Sequence, residues 1–344
     1  MRTSILRICA RSCLASLLAC GGSGSTPSAG AVGATSTQAP SYSIDFGPIT
    51  VPSGTENTEC IIKRLGNTAP IHVGQIHNVL GDASHHMIVY RVNDTAEQTT
   101  PFDCKPFTDT LNPATGNPLV ISQKRDDTVQ LPQGVGFTLN TDQMLRIEMH
   151  YINPDAAPVT LHSTSTMLPL KDAEYKDEAS FLFVGDPAIS IPPMSQATLG
   201  PVFFPVPDKY ANSKFFAITG HEHRMGTNVQ VWTATTIDDP APTPIYQVPG
   251  WQWSEPKTVL FEPPFQVPTG GGLRFQCDWS NRSTDTINFG ESATDEMCFF
   301  WAYYYPSQGA SVCLHSESDA GSSDLCCPGS AKLCDLIAGV DAGP

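Results

Sequence analysis

Two histidines separated by one residue, His221 and His223, are the first candidates for chemistry in the sequence. They lie between Gly220 and Gly226 and precede a run rich in β-branched residues, which predicts an extended segment. Because side chains alternate on a strand, both imidazoles point the same way and Glu222 points to the opposite face. Two imidazoles on one face supply two thirds of a metal site. This spacing alone is a weak signal, and a chance pair of surface or core histidines is the alternative.

Three further histidines accompany strand-like runs earlier in the chain. His85 and His86 are adjacent, and adjacent residues on a regular strand face opposite sides. Joint binding of one metal therefore requires a strand end, a bulge or different ring nitrogens. His150 ends a run in which it shares a face with Arg146 and Glu148. Spacing alone favours a hydrogen-bonded sheet residue at His150 over a ligand.

The composition bounds the class of protein. A chain of 344 residues suits two domains with tails, and 30 prolines with 27 glycines favour β-structure with many turns. The formal net charge of −15 repels phosphate backbones, so nucleic acid is excluded as an expected partner. The composition leaves the oligomeric state open.

The N-terminus predicts export. Residues 1–20 combine three arginines with a short apolar run, and Leu17 to Cys20 resembles a bacterial lipobox in which Cys20 is lipidated. Plain secretion, with cleavage at another small residue, is the alternative. Residues 21–41 read as a flexible linker. No later run approaches the roughly 18 apolar residues of a spanning helix. We therefore expect a cell-envelope lipoprotein, periplasmic or attached to the outer membrane through this anchor alone, or a secreted protein.

Cysteine usage agrees with an oxidising compartment. Eight cysteines follow residue 20, and an even number fits a disulfide framework. Their clustering suggests two pairs, Cys60 with Cys104 and Cys277 with Cys298. The last four would cross-link the C-terminal tail with a connectivity that the sequence leaves open: Cys313, Cys326, Cys327 and Cys334.

Short β-branched and aromatic runs alternate with turn signals on both sides of a charged segment, Lys171 to Glu178. The pattern predicts an all-β protein with two tandem antiparallel β-sandwich domains. The predicted domains are 42–174 and 175–308, followed by a Cys-rich tail at 309–344.

Four separated motifs resemble the copper type II ascorbate-dependent monooxygenases, the family of peptidylglycine α-hydroxylating and dopamine β-monooxygenases. In chain order they are His85-His86-Met87, then His150-Tyr151 leading to Asn153-Pro154, then His221-Glu222-His223, then the segment from Gly290 to Met297-Cys298. The resemblance covers roughly residues 45 to 306. It implies jelly-roll-like sandwiches, and the two suggested cysteine pairs match disulfide positions of the family.

The resemblance implies two copper ions. His85, His86 and His150 would hold the electron-transfer copper on the N-terminal domain. His221, His223 and Met297 would hold the catalytic copper on the C-terminal domain. A thioether is a soft ligand that selects Cu(I), which agrees with that assignment. The ordinary alternative for Met297 is core packing.

The implied reaction is hydroxylation of a C–H bond with O2 and ascorbate or an equivalent reductant. Two mononuclear sites would deliver single electrons without a coupled pair, and an interdomain cleft would bind the substrate. Peptide-amidating members carry an arginine where this chain has Ile218-Thr219-Gly220, which argues against a peptidylglycine substrate. The run Phe299-Phe300-Trp301 favours a small apolar or aromatic one. The competing class is a non-catalytic copper-binding or storage lipoprotein of the envelope; an adhesive β-sandwich ranks last.

Overall fold

The computed structural model describes residues 40–104, 116–240, 243–290, 292–318 and 321–328. The predicted export signal with Cys20, nearly all of the predicted linker and the distal part of the predicted tail with Cys334 lie outside the described residues.

The first half of the chain forms two sheets. One has the order β1-β10-β3-β8-β11, with β7 paired to β3, and the other has the order β5-β2-β9-β4-β6. The strands are β1 (Tyr42–Val51), β2 (Glu56–Arg64), β3 (Ile71–Val79), β4 (Ser84–Val92), β5 (Gln98–Asp103), β6 (Gly116–Ser122), β7 (Asp126–Gln130), β8 (Val135–Leu139), β9 (Met144–Ile152), β10 (Val159–Pro169) and β11 (Asp177–Glu178). All of these pairs are antiparallel except that between β11 and β8.

The second half contributes a large sheet, β18-β15-β21-β12-β22-β23, a smaller one, β14-β19-β16-β17, and the pair β13-β20. The strands are β12 (Ser180–Gly185), β13 (Ser190–Ile191), β14 (Ser195–Pro205), β15 (Lys214–His221), β16 (Gly226–Ala234), β17 (Tyr246–Gln247), β18 (Val259–Phe265), β19 (Gly272–Asn281), β20 (Ile287–Asn288), β21 (Phe299–Tyr305), β22 (Ser311–Ser318) and β23 (Gly321–Cys327). Two short 3-10 turns, Asp172–Glu174 and Asp208–Tyr210, complete the elements.

The all-β prediction is confirmed, since the part of the chain that the structure describes holds strands and 3-10 turns only. No helix among those residues has the length and apolarity needed to cross a membrane. The charged segment 171–178 holds the first 3-10 turn and β11, which pairs with the first half through β8. The sequence predicts a separate tail from residue 309 onward. In the structure, Ser311–Ser318 and Gly321–Cys327 form β22 and β23 of the large sheet.

Side-chain alternation fixes which face of each strand is buried. On β19, Leu273, Phe275, Cys277 and Trp279 are buried and the residues between them are partly exposed. These four face the large sheet of the second half and form one apolar core with it. A second core fills the first half and continues into the second half through Phe183, Phe299 and Trp301 of β12 and β21. Packing between the halves is therefore continuous.

Disulfides cross-link strands and loops within both halves of the chain. The predicted pairs Cys60–Cys104 and Cys277–Cys298 are confirmed, each with its Cα atoms 5.7 Å apart. Cys313 pairs with Cys326 across the β22–β23 hairpin, which resolves a connectivity that the sequence left open. Cys327 is disulfide-bonded as well.

Candidate metal centre

An irregularity at the start of β4 brings two adjacent histidines together. The register between β4 and β9 shifts between Ser84 and His86, so His85 is not held to regular alternation. The Nδ1 atoms of His85 and His86 lie 3.2 Å apart, and both rings are buried. The strand defect that joint metal binding requires is therefore present.

His150 on β9 completes this group. It lies directly opposite His86 in the β4–β9 ladder. Its ring centroid is 5.0 Å from that of His85 and 4.9 Å from that of His86. One nitrogen from each of the three rings can be chosen so that all lie within 4.8 Å of one another. This spacing permits all three to bind a single ion.

Two carboxylates lie on the Nε2 side of these rings. The Nε2 of His150 is 3.1 Å from Oε1 of Glu56 on β2, and the Nε2 of His86 is 3.8 Å from Oε1 of the fully buried Glu148. Tyr90 donates its hydroxyl to the other oxygen of Glu148, at 3.0 Å. Such partners orient histidine ligands and fix the ring tautomer. With Nε2 of His150 donating to Glu56, its Nδ1 keeps a free lone pair.

Burial favours the neutral forms of His85 and His86. It lowers the pKa of His85 to about 3 and holds the pKa of His86 well below its ordinary value, and neighbouring imidazoles add to both effects. The hydrogen bond from His150 lowers the pKa of Glu56 to about 2. Nδ1 of His150 and Nε2 of His85 are buried without a hydrogen-bond partner among the described residues. Imidazole nitrogens suit copper, so the donor set fits that metal.

A second pair of imidazoles lies at the end of β15. His221 is the last residue of that strand and His223 follows it before β16. Their Nε2 atoms are 3.3 Å apart and both rings are buried. His223 donates Nδ1–H to the carbonyl of Asp295, at 3.2 Å, which leaves its Nε2 unprotonated and facing Nε2 of His221. Burial lowers the pKa of His223 to about 4 and that of His221 well below its usual value.

Glu296 holds the turn that carries these histidines. Its fully buried carboxylate accepts hydrogen bonds from the backbone N–H of His223 (2.9 Å), that of Met225 (2.6 Å) and the indole of Trp279 (2.9 Å). Burial raises the pKa of this carboxyl to about 7. These contacts give Glu296 the role of ordering this turn. Glu222 turns away from the imidazoles and accepts from the N–H of Asp278, at 3.1 Å.

Met297 directly follows Glu296 and precedes the half-cystine Cys298. Its side chain is buried and belongs to the core shared by the two halves, together with Phe299 and Trp301. The structure thus brings the backbone of Met297 beside the histidine turn through its neighbour Glu296. Its role as a third ligand stays a prediction beside its packing role.

The two imidazole groups lie next to each other. The ring of His86 is 6.3 Å from that of His221 and perpendicular to it. Gln123, which follows β6, places its amide nitrogen 2.9 Å from Nδ1 of His221. Trp253 covers His85 at a ring distance of 4.9 Å. The structure gathers five imidazoles into one buried cluster, and their division into two copper centres stays a prediction.

The residues that orient the rings were not predicted from the sequence. Strand alternation could have indicated Glu148, because it puts this residue on the same face as His150. Glu56, Gln123 and Trp253 had no such signal, since only the tertiary fold brings them to the histidines. The remaining histidines have polar partners outside the cluster: His72 with Thr138, His77 with Asp126, His162 with Asp45 and His315 with Asp324.

The aromatic run 299–301 is buried in the cores on both faces of β21. It therefore gives no support to the predicted apolar or aromatic substrate.

Comparison with known proteins identifies the second half. A family model described as the C-terminal domain of copper type II ascorbate-dependent monooxygenases matches residues 186–323. Tyramine beta-hydroxylase of Caenorhabditis briggsae is 21% identical over 297 residues, covering 79% of this chain and 49% of that protein. The chain thus spans about half the length of this curated relative.

Solved structures add little. The cowpea mosaic virus top component matches with a TM-score of 0.32 and 7% identity, covering 78% of this chain and 90% of that one. A mavirus penton protein matches with a TM-score of 0.08 and 7% identity, covering 78% and 100%. The sequence match at 186–323 includes His221, His223 and Met297, so this part of the chain is similar to the C-terminal domain of the copper type II ascorbate-dependent monooxygenases.

Proposed function

We propose that the chain is a copper-dependent monooxygenase that hydroxylates a C–H bond of a small organic substrate, using O2 and ascorbate or an equivalent reductant. The observation that carries the proposal is the buried group of three imidazoles with metal-ligand spacing, in a chain whose residues 186–323 match a domain of this family. Two copper ions are proposed, one on each imidazole group. When bound, copper supplies one-electron redox chemistry and the activation of dioxygen.

In the proposed first site, His85, His86 and His150 are the ligands. Glu56 holds the ring of His150 from the Nε2 side, at 3.1 Å, and Glu148 lies 3.8 Å from Nε2 of His86. Because burial favours the neutral forms of His85 and His86, neither ring has to lose a proton before a metal binds near neutral pH. This group is the proposed electron-transfer site.

In the proposed second site, His221, His223 and Met297 are the ligands. The carbonyl of Asp295 fixes the tautomer of His223 with Nε2 free. Glu296 fixes the backbone on both sides of that ring through the N–H groups of His223 and Met225. A thioether as third ligand favours Cu(I), the oxidation state that meets dioxygen. This group is the proposed catalytic site.

Family membership and the disulfides indicate an extracellular or secreted protein. Attachment to the cell envelope through a lipid on Cys20 belongs to the proposal. Mass spectrometry of the N-terminal peptide from the native host tests it, since a diacylated Cys20 supports the anchor and an unmodified or absent Cys20 contradicts it.

A copper-binding or storage lipoprotein is the second candidate. The observation in its favour is closure of the cluster, because none of the five imidazole residues exceeds 6% exposure and Trp253 covers His85. A carrier needs the ligands but no space for an organic molecule beside them.

Copper titration followed by oxygen uptake separates the two candidates. Wild-type protein is expected to bind two equivalents and, with ascorbate, to consume O2 and release a hydroxylated product from a screened substrate. Met297→Ala is expected to lower that rate at least about 100-fold, whereas Met194→Ala, a change at a 71% exposed position, leaves it unaltered. Two bound equivalents without oxygen uptake on any substrate favour the carrier. A protein that takes up no copper contradicts both.

A further inference from the structure

Glu56 is the first residue of β2, and a single oxygen of its carboxylate touches residues of both halves of the chain. Oε1 lies 3.1 Å from Nε2 of His150, accepts the N–H of Ala293 at 3.1 Å and accepts the hydroxyl of Ser292 at 3.4 Å. Ala293 and Ser292 precede Met297 by only a few residues. One carboxylate therefore joins the first imidazole group to the segment that leads to the predicted methionine ligand.

The segment from Ser292 to Met297 is itself bound to the second imidazole group. Within it, the carbonyl of Asp295 accepts Nδ1–H of His223, and the carboxylate of Glu296 accepts the backbone N–H of His223. A continuous path of hydrogen bonds therefore runs from His150 through Glu56 and this segment to His223. Each bond in it fixes either a ring orientation or a backbone position.

We infer that Glu56 is a positioning residue for both imidazole groups and couples metal binding at one group to metal binding at the other. The inference rests on the proposed function, because it concerns copper at those groups. An ion on the first group holds the ring of His150 and thereby its hydrogen bond to Glu56. A fixed Glu56 holds Ala293, and so keeps His223 and Met297 in place for a second ion. Coupling of this kind is reciprocal.

The contacts of Glu56 suit this role. Its side chain is about one third exposed, and its Oε1 contacts His150, Ala293 and Ser292 at the same time. Glu59 on the same strand provides a matched comparison. Its carboxylate accepts a hydrogen bond from the hydroxyl of Tyr151, and it has no hydrogen bond to a histidine of the cluster among the described residues.

The test compares Glu56→Ala and Glu56→Gln with the control Glu59→Gln in the full chain. Copper affinity is measured by competition titration, and the Cu(II) signal by electron paramagnetic resonance. Each is recorded in a His221→Ala background, which reports the first group, and in a His85→Ala background, which reports the second. Glu56→Ala is expected to weaken copper binding about 10- to 100-fold at the first group. It should also shift the signal and weaken binding at the second group.

Glu56→Gln keeps the acceptor oxygen and loses the charge, so an intermediate effect at both groups is expected; Glu59→Gln should match the parent. With both groups intact, filling the first is expected to raise copper affinity at the second several-fold, and Glu56→Ala should abolish that increase. An effect of Glu56→Ala confined to the first group overturns the inference and leaves the proposed function standing. Should Glu56→Ala fail to fold, Glu56→Gln carries the same comparison.

Amide hydrogen exchange in the metal-free protein provides a readout independent of copper. The N–H of Ala293 is expected to exchange faster in Glu56→Ala than in wild type, and to be unchanged in Glu59→Gln. Equal exchange in all three proteins overturns the inference. Absence of copper binding in wild type overturns the proposed function and the coupling together, whereas binding to both groups without mutual influence overturns the coupling alone.

Discussion

The rings of His86 and His221 lie 6.3 Å apart and at 89° to each other, although one belongs to β4 of the first half and the other ends β15 of the second. The continuous core between the halves makes this approach possible, since Met87 and Met149, beside the first imidazole group, share a cluster with Phe299 and Trp301. The two histidine groups therefore form one buried site.

This proximity predicts an interaction between two bound ions. Protein loaded with two equivalents of Cu(II) is expected to give fewer than two spins, or strongly broadened lines, in electron paramagnetic resonance. His221→Ala or His85→Ala, loaded with one equivalent, should give one full spin with sharp hyperfine lines. Two full, unbroadened spins in the doubly loaded wild type would instead support the uncoupled pair expected from the sequence.

Removal of a single imidazole should lower the copper stoichiometry. His150→Ala deletes a ring whose Nδ1 is buried without a partner and whose Nε2 is held by Glu56. We expect binding to fall from two equivalents to one, measured by copper analysis after dialysis. His162→Ala is the matched control, because this histidine has a half-exposed side chain and pairs with Asp45. Equal stoichiometry in the two variants would contradict the assignment of His150.

The metal-free protein should lose stability in mild acid. The pKa of His85 is about 3 and that of His223 about 4 when folded, against 6.5 in the unfolded chain. As pH falls below 6.5, the unfolded chain gains protons that the folded one does not, so the free energy of unfolding falls. Glu296 and Glu222 act in the opposite sense, because burial raises the folded pKa of Glu296 to about 7 and holds that of Glu222 well above its ordinary value. The four histidines with a lowered pKa outnumber these two carboxyls.

Each proton taken up only by the unfolded chain changes stability by about 1.4 kcal/mol per pH unit. The net decrease between pH 6.5 and 5 is therefore expected to exceed about 1 kcal/mol per unit. Urea denaturation at several pH values measures it, and a stability that stays flat across this interval would contradict the low pKa values. Bound copper should raise the stability across this interval without removing the dependence, since the metal binds the folded state and the unfolded chain still takes up protons.

The all-β class and the two disulfides were accessible from the sequence because each depends on local signals, whereas the two histidine groups were predicted from the resemblance to a family. Strand alternation predicted that His221 and His223 share a face, and cysteine clustering predicted the disulfide between Cys277 and Cys298. The closeness of His86 to His221 had no such signal, because it depends on how two sandwiches pack. Strands β22 and β23 were not predicted, because Ser, Asp and Gly dominate that stretch. Pairing of β22 with β12, and of β23 with β22, overrides their low strand propensity.

Removing the disulfide Cys277–Cys298 should weaken the second imidazole group selectively. It ties β19 to the residue that follows Met297, so its loss frees the end of the segment that Glu296 and Asp295 hold against His223. The sequence separation of 21 predicts a loss of about 3 kcal/mol in the free energy of unfolding for the double alanine variant. Copper affinity at the second group should fall about tenfold.

The disulfide Cys313–Cys326 provides the control. It spans 13 residues in the β22–β23 hairpin of the same half, so its removal should cost a similar free energy by the same entropic reasoning. Among the described residues, this disulfide has no contact with the histidines of the two imidazole groups. Copper affinity should therefore stay at the wild-type value. Guanidinium unfolding and copper competition titration on both double variants make the comparison. If the two variants lose copper affinity equally, general destabilisation explains the effect, and the Cys277–Cys298 bond has no special part in placing Met297.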